Sequence, residues 1–389
     1  MNEPIVRIAA RGDGVTANGR HAPFGVPGDT LLDDGALAFG PHHQQPPCRH
    51  YPECGGCQLQ HADDEAYRGY LLSRIQTALS QHELTTEIRE PHVSPPNSRR
   101  RATLRAMAVG KGAVVGFNEG KSHRIVDMRE CHILRPELFA LIAPLRALLG
   151  TLLPPRKTGE VQLTIVDRGV DVLLKGVAGE GLAAIEAMTS FAGEHGLARL
   201  SIDRGLGAET QYEPEPVTIT LSGIPVAFPV GGFLQATADG ENVLLASVGD
   251  AIGEAKRAAD LFAGLGTFAL GVGAKYAAEA SRDAAVALNR AAPGMTVDHR
   301  DLYRRPLDTA ELATFDAVIL DPPRAGAGEQ VANLATSAVP RIAYVSCNPA
   351  TFARDGKTLC AGGYRLEWIR PVGQFRWSTH VELAACFRR

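Results

Sequence analysis

Apolar and polar positions follow two different periods in the carboxy-terminal part of the chain. Short apolar runs rich in β-branched residues are separated by segments with helical periodicity. This alternation of strand and helix is typical of a parallel, doubly wound sheet. The strands that it predicts cover residues 258–262, 315–320 and 342–346, followed by two antiparallel strands at 364–370 and 381–387. A helix at 241–252 precedes them, so we predict an α/β domain over residues 241–389.

The pattern between residues 46 and 240 is mixed, which predicts a central α+β domain. Its strands are expected at 103–109, 113–117, 161–166 and 170–174, and its helices at 65–79, 136–149 and 182–194. Residues 1–45 carry two β-like runs, at 5–10 and 22–26, separated by glycine-containing turn signals. We interpret residues 1–45 as a small β module.

Composition narrows the class of protein. The chain has 389 residues, of which 45% are hydrophobic, enough to build two or three domains. It contains no run of about 18 apolar residues, and its first residues lack a signal-peptide core. We therefore expect a cytoplasmic protein with no membrane association. The formal net charge of −3 argues against a uniformly basic nucleic-acid binder but leaves local basic patches open.

Three cysteines within ten residues form the strongest local signal. Cys48, Cys54 and Cys57 surround a Gly-Gly pair that lets the backbone fold tightly around a centre. Thiolates at this density suit a soft metal or an iron–sulfur cluster, which requires a fourth ligand. Cys131 is the candidate, because the remaining distant cysteines fall in the carboxy-terminal domain. The spacing is compatible with structural zinc and with a four-iron cluster.

A fifth cysteine, Cys347, follows the predicted strand at 342–346. The carboxyl ends of strands are where open α/β sheets bind ligands. A thiol there, before a polar turn that contains Arg354, is a candidate nucleophile whose thiolate its surroundings favour. The alternative is a buried structural cysteine.

Other strand ends in the same domain carry acidic or glycine-rich turns. The segment Asp260-Leu261-Phe262 runs into a turn with glycines at 264 and 266, where a backbone can approach a ligand. Glu279 is placed to accept hydrogen bonds from ribose hydroxyls, and Asp301 from an adenine amino group. The strand at 315–320 ends in an Asp-Pro-Pro-Arg turn that begins with Asp321. Taken one at a time, each of these carboxylates is equally compatible with an ordinary position on the protein surface.

Two features outside that domain are compatible with contacts to a nucleic acid. Arg99, Arg100, Arg101 and Arg105 are the densest basic cluster and can hold phosphates, although a solvated charged face explains them equally well. In the segment 228–237, Phe233 offers a ring for stacking on a base and Gln235 offers a hydrogen-bond donor and acceptor. Core and turn positions are the alternative for both residues.

Taken together, the glycine turn after Asp260, the Asp-Pro-Pro-Arg turn, the Ser-Cys-Asn-Pro segment at 346–349 and the terminal His-Val-Glu at 380–382 resemble the S-adenosylmethionine-dependent RNA 5-methyluridine methyltransferases. The resemblance covers nearly the whole chain. The cysteine pattern is similar to that of the bacterial 23S ribosomal RNA branch of this family, which carries a [4Fe-4S] cluster.

The resemblance implies a Rossmann-like methyltransferase domain at 241–389 and a central RNA-binding domain that carries the cluster. It implies that Cys347 is the nucleophile and Glu382 the general base, and that Phe233 lies next to a flipped base. The residues that it places around S-adenosylmethionine and the target base are Gln235, Phe262, Thr267, Glu279, Asp301 and Asp321. The cluster ligands that it implies are Cys48, Cys54, Cys57 and Cys131. Arg99, Arg101 and Arg105 are then expected to hold RNA phosphates.

The sequence differs from the family pattern in three places. About a dozen residues separate Gly266 from Glu279, about one helical turn fewer than is usual in the family. Thr267 stands where relatives often have asparagine. The module at 1–45 resembles the RNA-binding TRAM barrel, but its later strands are missing before Cys48, so we expect a truncated module rather than a five-stranded barrel.

The expected substrate is 23S rRNA, with no obligate protein partner. A tRNA uridine-54 methyltransferase is the first alternative, because substrates change within one architecture. The cysteine spacing argues against a radical enzyme that uses the cluster. The presence of both Cys347 and Glu382 argues against a catalytically silent RNA-binding factor. We expect the cluster to have a structural role, with redox sensing as the alternative.

Overall fold

The computed structural model describes residues 2–389. In chain order the strands are β1 (Glu3–Ile8), β2 (Gly14–Thr16), β3 (His21–Ala22), β4 (Thr30–Leu31), β5 (Leu37–Ala38), β6 (Glu87–Ile88), β7 (His92–Val93), β8 (Arg101–Val109), β9 (Gly112–Gly116), β10 (Thr158–Val166), β11 (Gly169–Lys175), β12 (Arg199–Asp203), β13 (Ala208–Tyr212), β14 (Thr218–Leu221), β15 (Ile224–Ala227), β16 (Ala258–Leu261), β17 (Tyr276–Glu279), β18 (Thr296–His299), β19 (Ala317–Leu320), β20 (Arg341–Ser346), β21 (Arg365–Gly373) and β22 (Glu382–Arg388). The helices are α1 (Asp64–Ser80), α2 (Pro136–Ala140), α3 (Ile142–Leu152), α4 (Leu182–Glu194), α5 (Ala238–Ile252), α6 (Thr267–Val272), α7 (Arg282–Ala291), α8 (Thr309–Leu312), α9 (Gly328–Thr336) and α10 (Pro349–Ala361).

The amino-terminal module is a five-stranded sheet in the order β3-β2-β1-β4-β5. The expectation that its later strands are missing is therefore wrong, because five strands precede Cys48. Strands β3, β4 and β5 contain two residues each, too few for an alternating pattern to appear in the sequence. A small core of Ile5, Ala22 and Leu31 lies beneath the sheet.

The central sheet has six strands in the order β13-β12-β11-β10-β8-β9. The strands and helices expected between residues 101 and 194 are confirmed, with one exception. The single helix expected at 136–149 is two helices, α2 and α3, that meet at Leu141. Pro144 explains the break, because its ring lacks an N–H and clashes with the carbonyl of the residue four positions earlier, Ala140, where α2 ends.

The third large sheet has the order β18-β17-β16-β19-β20-β22-β21-β6, and β7 also pairs with β21. Strands β16 to β20 are parallel, whereas β22 runs antiparallel between β20 and β21. The predicted doubly wound α/β domain is therefore present. The strand order reverses beside β16, and ligands bind outside the carboxyl ends of strands at such a switch point.

Part of the segment assigned to the central domain also builds the carboxy-terminal sheet. Strands β6 and β7 extend it through parallel pairing with β21, at Ile88 with Ile369 and at His92 with Val372. Helix α1 packs against α10 and β21. Two-residue strands leave no periodic signal, so this contribution was not visible in the sequence. Among residues 2–389 no helix has the length and apolarity needed to cross a bilayer.

Candidate active site and cysteine cavity

Cys347 lies between the end of β20 and the start of α10. Asn348 caps α10, since its side chain accepts a hydrogen bond from the Ala350 N–H at 3.2 Å. The Asn348 amide also donates to the Arg324 carbonyl at 3.1 Å, and the Thr351 hydroxyl donates to the same oxygen at 3.2 Å. The Asp-Pro-Pro-Arg turn is thus tied to the first turn of the helix beside the thiol.

The surroundings of Cys347 oppose ionisation. Burial raises the pKa of its thiol, and the carboxyl groups of Glu382 and Asp321 raise it further, while Arg324 lowers it. The expectation that these surroundings favour the thiolate is therefore wrong for the protein by itself. The basic residue seen in the sequence, Arg354, pairs instead with the Asp355 carboxylate at 2.8 Å. The positive charge of Arg324 does not offset the effects of burial and of the two carboxyl groups, so the pKa of the thiol stays above its ordinary value.

Glu382 is the first residue of β22 and is 8% exposed. Burial raises the pKa of its carboxyl to about 8, with a further rise from Asp321 and a decrease from Arg101. Burial also raises the pKa of Asp321 to about 7, against the lowering effect of a hydrogen bond from Gln235. A carboxyl with a pKa near neutrality is suited to proton transfer.

A chain of buried amides joins the two carboxyl groups. The Gln235 amide donates to the Asp321 carboxylate at 3.2 Å, and the Gln374 amide donates to Gln235 Oε1 at 2.7 Å. The same Gln374 nitrogen donates to Glu382 Oε2. Gln374 was missed by sequence reasoning, because an isolated glutamine after a strand carries no motif signal.

The turn after β16 has the geometry of a ligand loop. Phe262 has a φ of 65°, and Gly266 has a φ of 87° with no room for a side chain, since a Cβ there would lie 2.4 Å from Leu288 Cδ1. Helix α6 begins at Thr267. The Glu279 carboxylate accepts the Gly264 N–H at 2.8 Å, so the shortened segment before it still brings Glu279 to the turn.

Asp260 adds a buried acid to this edge of the sheet. Its Oδ2 accepts the Ala269 N–H at 2.8 Å, whereas its Oδ1 has no hydrogen-bond partner. Burial places the pKa of this carboxyl well above its ordinary value, and Asp321 and Glu279 raise it further. Acidic groups that lack a cationic neighbour fit a cofactor that carries positive charge. The sequence named Asp260 only as part of a motif.

Asp301 lies beyond β18 on the same side. Its carboxylate accepts the Tyr303 N–H at 3.0 Å and pairs with Arg304 at 3.4 Å. The Tyr303 ring is 5.7 Å from the Phe262 ring, centroid to centroid. Tyr303 therefore links Asp301 to Phe262, and both residues lie at the carboxyl edge of the sheet.

Phe233 and Arg101 stack next to this pocket. Phe233 is 59% exposed, and the Arg101 guanidinium lies 4.4 Å from its ring centroid. Burial lowers the pKa of Arg101 to about 10, and the negative charge of Glu382 opposes this shift. Arg101 is therefore a cation that lies near both the exposed ring and the buried acid.

The other arginines of the basic cluster do not join Arg101 in one surface. Arg99 is held between the rings of Phe375 and Phe117, at 5.2 and 5.7 Å from their centroids. The remaining two make ion pairs: Arg100, which is buried, pairs with Glu241, and Arg105 pairs with Glu160 at 3.3 Å. Arg101 and Arg105 lie on the same face of strand β8 but four residues apart, roughly 13 Å along the strand, so arginines that are close in sequence do not form one compact patch.

Cys48, Cys54, Cys57 and Cys131 line one cavity. Burial, together with the proximity of the thiols to one another, raises the pKa of Cys48 to about 11 and that of Cys57 to about 12. In residues 2–389 no group of three or more His, Cys, Asp or Glu side chains has the arrangement of a metal site. The four predicted ligands are therefore brought together without converging on a single metal position.

The loop that carries Cys48, Cys54 and Cys57, called the cysteine loop below, also contacts the segment that leads to Glu382. The N–H groups of Gln58 and Leu59 both donate to the Trp377 carbonyl at 2.8 Å, and the Thr379 N–H donates to Gln58 Oε1 at 3.3 Å. The loop between β21 and β22 is therefore held by the residue that follows Cys57.

The order of the carboxy-terminal sheet, with its glycine turn at the switch point, defines an α/β methyltransferase fold. A crystal structure of the Pyrococcus abyssi tRNA (uracil-54, C5)-methyltransferase in complex with S-adenosyl-L-homocysteine has the same fold: it is 22% identical in sequence and superposes with a TM-score of 0.75 over 100% of this chain and 99% of that one.

Sequence comparison gives the family. The model of the tRNA (uracil-5-)-methyltransferase family matches residues 295–389. An uncharacterised RNA methyltransferase of Zymomonas mobilis is 51% identical over 393 residues, 99% of each chain. The 23S rRNA (uracil(1939)-C(5))-methyltransferase RlmD of Pectobacterium atrosepticum is 31% identical over 369 residues, 90% of this chain and 81% of the relative. The chain belongs to the RNA uracil-5 methyltransferase family, which confirms the expected enzyme class.

Proposed function

We propose that this enzyme transfers a methyl group from S-adenosylmethionine to carbon 5 of a uridine in 23S rRNA. The observation that carries this proposal is the placement of Cys347 and Glu382 at neighbouring strand ends, close enough for each charge to affect the other. The ribosomal substrate is supported by the 31% identity to the Pectobacterium enzyme.

Carbon 5 of uracil is a poor nucleophile, so it must be activated before it can accept a methyl group. We propose that Cys347 activates it and that Glu382 completes the reaction. Cys347 Sγ adds to carbon 6, which makes carbon 5 an enolate-like centre. S-adenosylmethionine supplies an electrophilic methyl group when bound. Glu382 then removes the proton from carbon 5 as a general base, and the bond between carbon 6 and Sγ breaks to release Cys347.

The acidic edge of the sheet is the proposed cofactor site. Asp260, Glu279 and Asp321 provide carboxyl groups whose ionised forms suit the sulfonium and ammonium groups of S-adenosylmethionine. A cation at this edge favours the ionised forms of Cys347 and Glu382, which both reaction steps require. The expected ribose and adenine contacts are Glu279 and Asp301, with Gln235, Phe262 and Thr267 lining the same site.

RNA binding is proposed to centre on Phe233 and Arg101. A thiol must approach the face of the uracil ring, so the target base has to leave any helical stack. The exposed Phe233 ring offers a stacking surface, and the Arg101 guanidinium can hold a phosphate. We propose that Arg99, Arg105 and the TRAM-like module at residues 1–45 add further contacts, with residues 46–240 as the central RNA-binding unit.

We further propose that Cys48, Cys54, Cys57 and Cys131 hold a [4Fe-4S] cluster. The position of all four thiols around one cavity supports this. A cluster is larger than one ion and each thiolate binds a different iron, so its ligands need not share a single-metal position. Its proposed role is structural, because the cysteine loop supports the segment that leads to Glu382.

Mapping of 5-methyluridine by mass spectrometry tests the substrate. In cells that lack this protein, 23S rRNA is expected to lose a 5-methyluridine that returns with the wild-type protein but not with Cys347→Ala. The fold shared with a tRNA-modifying enzyme makes tRNA uridine-54 the second candidate. Loss of methylation from tRNA alone would replace the first proposal with the second.

A denaturation-resistant adduct with 5-fluorouridine RNA tests the reaction itself. Fluorine at carbon 5 cannot leave as a proton does, so the enzyme remains bound to the RNA through Cys347 after methyl transfer. The absence of such an adduct with a methylating enzyme would contradict covalent catalysis. The absence of both methylation and adduct would favour a silent RNA-binding factor.

A further inference from the structure

The Gln374 side chain makes every hydrogen bond that an amide can make. Its Oε1 accepts the N–H groups of Ala236 at 2.7 Å and Thr237 at 3.3 Å. Its Nε2 donates one hydrogen to Gln235 and the other to Glu382. The residue is 1% exposed, so water does not compete for these bonds.

This pattern leaves Gln374 one orientation. Two backbone N–H groups can only be accepted by the amide oxygen, so the NH₂ group has to face Gln235 and Glu382. The reverse orientation would place an oxygen against the Glu382 carboxylate and would leave two buried N–H donors without an acceptor, which is costly. Gln235 is oriented in turn, because its oxygen is occupied by Gln374 and its nitrogen faces Asp321.

The start of α5 is built around this amide. Thr237 caps the helix, and its own N–H is one of the donors to Gln374. Gly240 lies in the first turn, where a Cβ would come within 2.8 Å of Gln374 Cβ. The helix start, the loop after β21 and the pocket amides therefore form one packed unit.

We propose that Gln374 is a positioning residue for the methylation reaction: it holds Glu382 in place as the general base and fixes the amide of Gln235 beside it. The inference rests on the proposed function and deepens it. Gln374 does not itself contact the reacting atoms in this proposal; it acts through the two side chains to which it donates.

Donation from Gln374 also favours the ionised form of Glu382. The other charged or titratable groups that act on Glu382 are Asp321 beyond β19, Arg101 on β8 and Cys347 beyond β20. Of these, only Arg101 opposes the effects of burial. Removal of the Gln374 donor therefore leaves Glu382 protonated up to a higher pH and free to move away from carbon 5.

The test replaces Gln374 by methionine, which keeps the length and removes the amide. Gln330→Met is the matched control, because Gln330 is also fully buried and its amide bonds the Leu307 N–H at 2.8 Å and the Leu307 carbonyl at 3.2 Å, away from the pocket. Both variants lose a buried amide from the same domain. The measurements are kcat, KM for RNA, the pH dependence of kcat, and the fraction of enzyme covalently bound to ordinary uridine RNA.

For Gln374→Met we expect kcat to fall by about 10-fold to 100-fold, because a displacement of a catalytic group by about 1 Å can cost roughly 100-fold. KM for RNA should change less than 3-fold, the acidic limb of the pH profile should move to higher pH, and the covalent RNA adduct should accumulate. Gln330→Met should lower thermal stability while its kcat, pH profile and adduct level remain those of the wild type.

The positioning role is overturned if Gln374→Met turns over like the wild type, or if its loss of activity matches that of Gln330→Met without adduct accumulation. If Gln374→Met does not fold, Gln374→Asn takes its place, because a shortened amide cannot bond both Thr237 and Glu382; unchanged kcat then overturns the role. Failure of the wild type to methylate uridine or to form the 5-fluorouridine adduct would instead defeat the proposed function.

Discussion

Asp321 and Glu382 keep protons at a pH where carboxyl groups in water have lost them. The cause is burial beside other acids, with only partial compensation from Arg101 and Gln235. Cys347 is affected in the same direction by the same neighbours. A cationic ligand in this pocket would favour the ionised forms of these groups, which the proposed reaction uses.

Substitution of the two proposed catalytic residues should give opposite results in one assay. Cys347→Ala is expected to abolish both methylation and the covalent RNA adduct, because no nucleophile remains. Glu382→Gln should permit methyl transfer but stop elimination, so that the methylated adduct accumulates. Gel analysis of denatured enzyme–RNA mixtures distinguishes them, with Cys360→Ser, a free cysteine elsewhere in the domain, as the control. Full turnover by either variant would contradict its assigned role.

The raised pKa of Glu382 also predicts how stability depends on pH. An acid with an ordinary value of 4.5 and a folded value of about 8 favours folding in its protonated form. This contribution is fully present below about pH 4.5 and is lost as the pH rises to about 8. In ligand-free protein, Glu382→Gln should therefore have a Tm close to that of the wild type at pH 5 and a higher Tm at pH 8.5. An equal difference in Tm at both pH values would show that Glu382 titrates normally.

Among the structural elements, α10 and the Asp-Pro-Pro-Arg turn act as one support for Cys347. Asp355 on α10 is buried and accepts the Ala327 N–H at 2.8 Å and the Tyr344 hydroxyl at 2.7 Å. Arg354 donates to Asp355 and also to the Ala325 carbonyl at 3.0 Å. One carboxylate thus joins the catalytic strand β20, its following helix and the neighbouring turn.

Asp355→Asn should loosen this support. An amide NH₂ placed among hydrogen-bond donors loses bonds to a charged acceptor, at a cost of about 1.5–3 kcal/mol each in typical cases. We expect a lower Tm and a reduced kcat, with RNA affinity unchanged. Asp316→Asn is the control, because that carboxylate accepts the Lys256 and Arg257 N–H groups at 2.8 and 2.9 Å at the opposite end of β19. If Asp316→Asn lost as much kcat as Asp355→Asn, the loss would not be specific to the support of Cys347.

At the scale of the whole molecule, the cysteine loop and the active site are mechanically connected. Gln58 and Leu59 bond the Trp377 carbonyl, and Trp377 lies between Gln374 and Glu382 in sequence. Helix α1, which follows the cysteine loop, bonds the same segment through the hydroxyls of Tyr67 to Phe375 and Tyr70 to Thr379. Disorder in the cysteine loop should therefore reach the loop between β21 and β22, which leads to Glu382.

Cys54→Ser tests this connection, the proposed [4Fe-4S] cluster and the structural role proposed for it. The variant is expected to lose bound iron, to bind RNA more weakly, and to show faster amide hydrogen exchange at residues 374–381, because the support of that loop is lost. Cys360→Ser should retain the iron, the RNA affinity and slow exchange. A folded Cys54→Ser protein with normal RNA affinity and normal exchange would exclude the structural role and favour redox sensing.

The strands and helices differ in how well the sequence pattern predicts them. Five strands of the carboxy-terminal sheet and helix α1 were predictable, because apolar runs and helical periodicity reflect buried faces. These strands are β16, β19, β20, β21 and β22. Strands β3 to β7 were not, except for part of β3, since two residues contain no period. The split between α2 and α3 had a visible cause in Pro144, but the apolar pattern runs across it. The motifs at 260–266, 321–324, 346–349 and 380–382 identified the family and the candidate site.

The sequence by itself determined the longer strands and helices that it predicted, the chemical groups available and the family, because these depend on local periodicity and on motifs that are contiguous in the chain. Only the tertiary structure decided that Gln374 joins Gln235 to Glu382, that Arg101 rather than Arg100 reaches the pocket, and that Cys347 favours its thiol form. These outcomes depend on burial and on neighbours far apart in the chain, and solvation and electrostatic coupling are collective properties of the folded molecule.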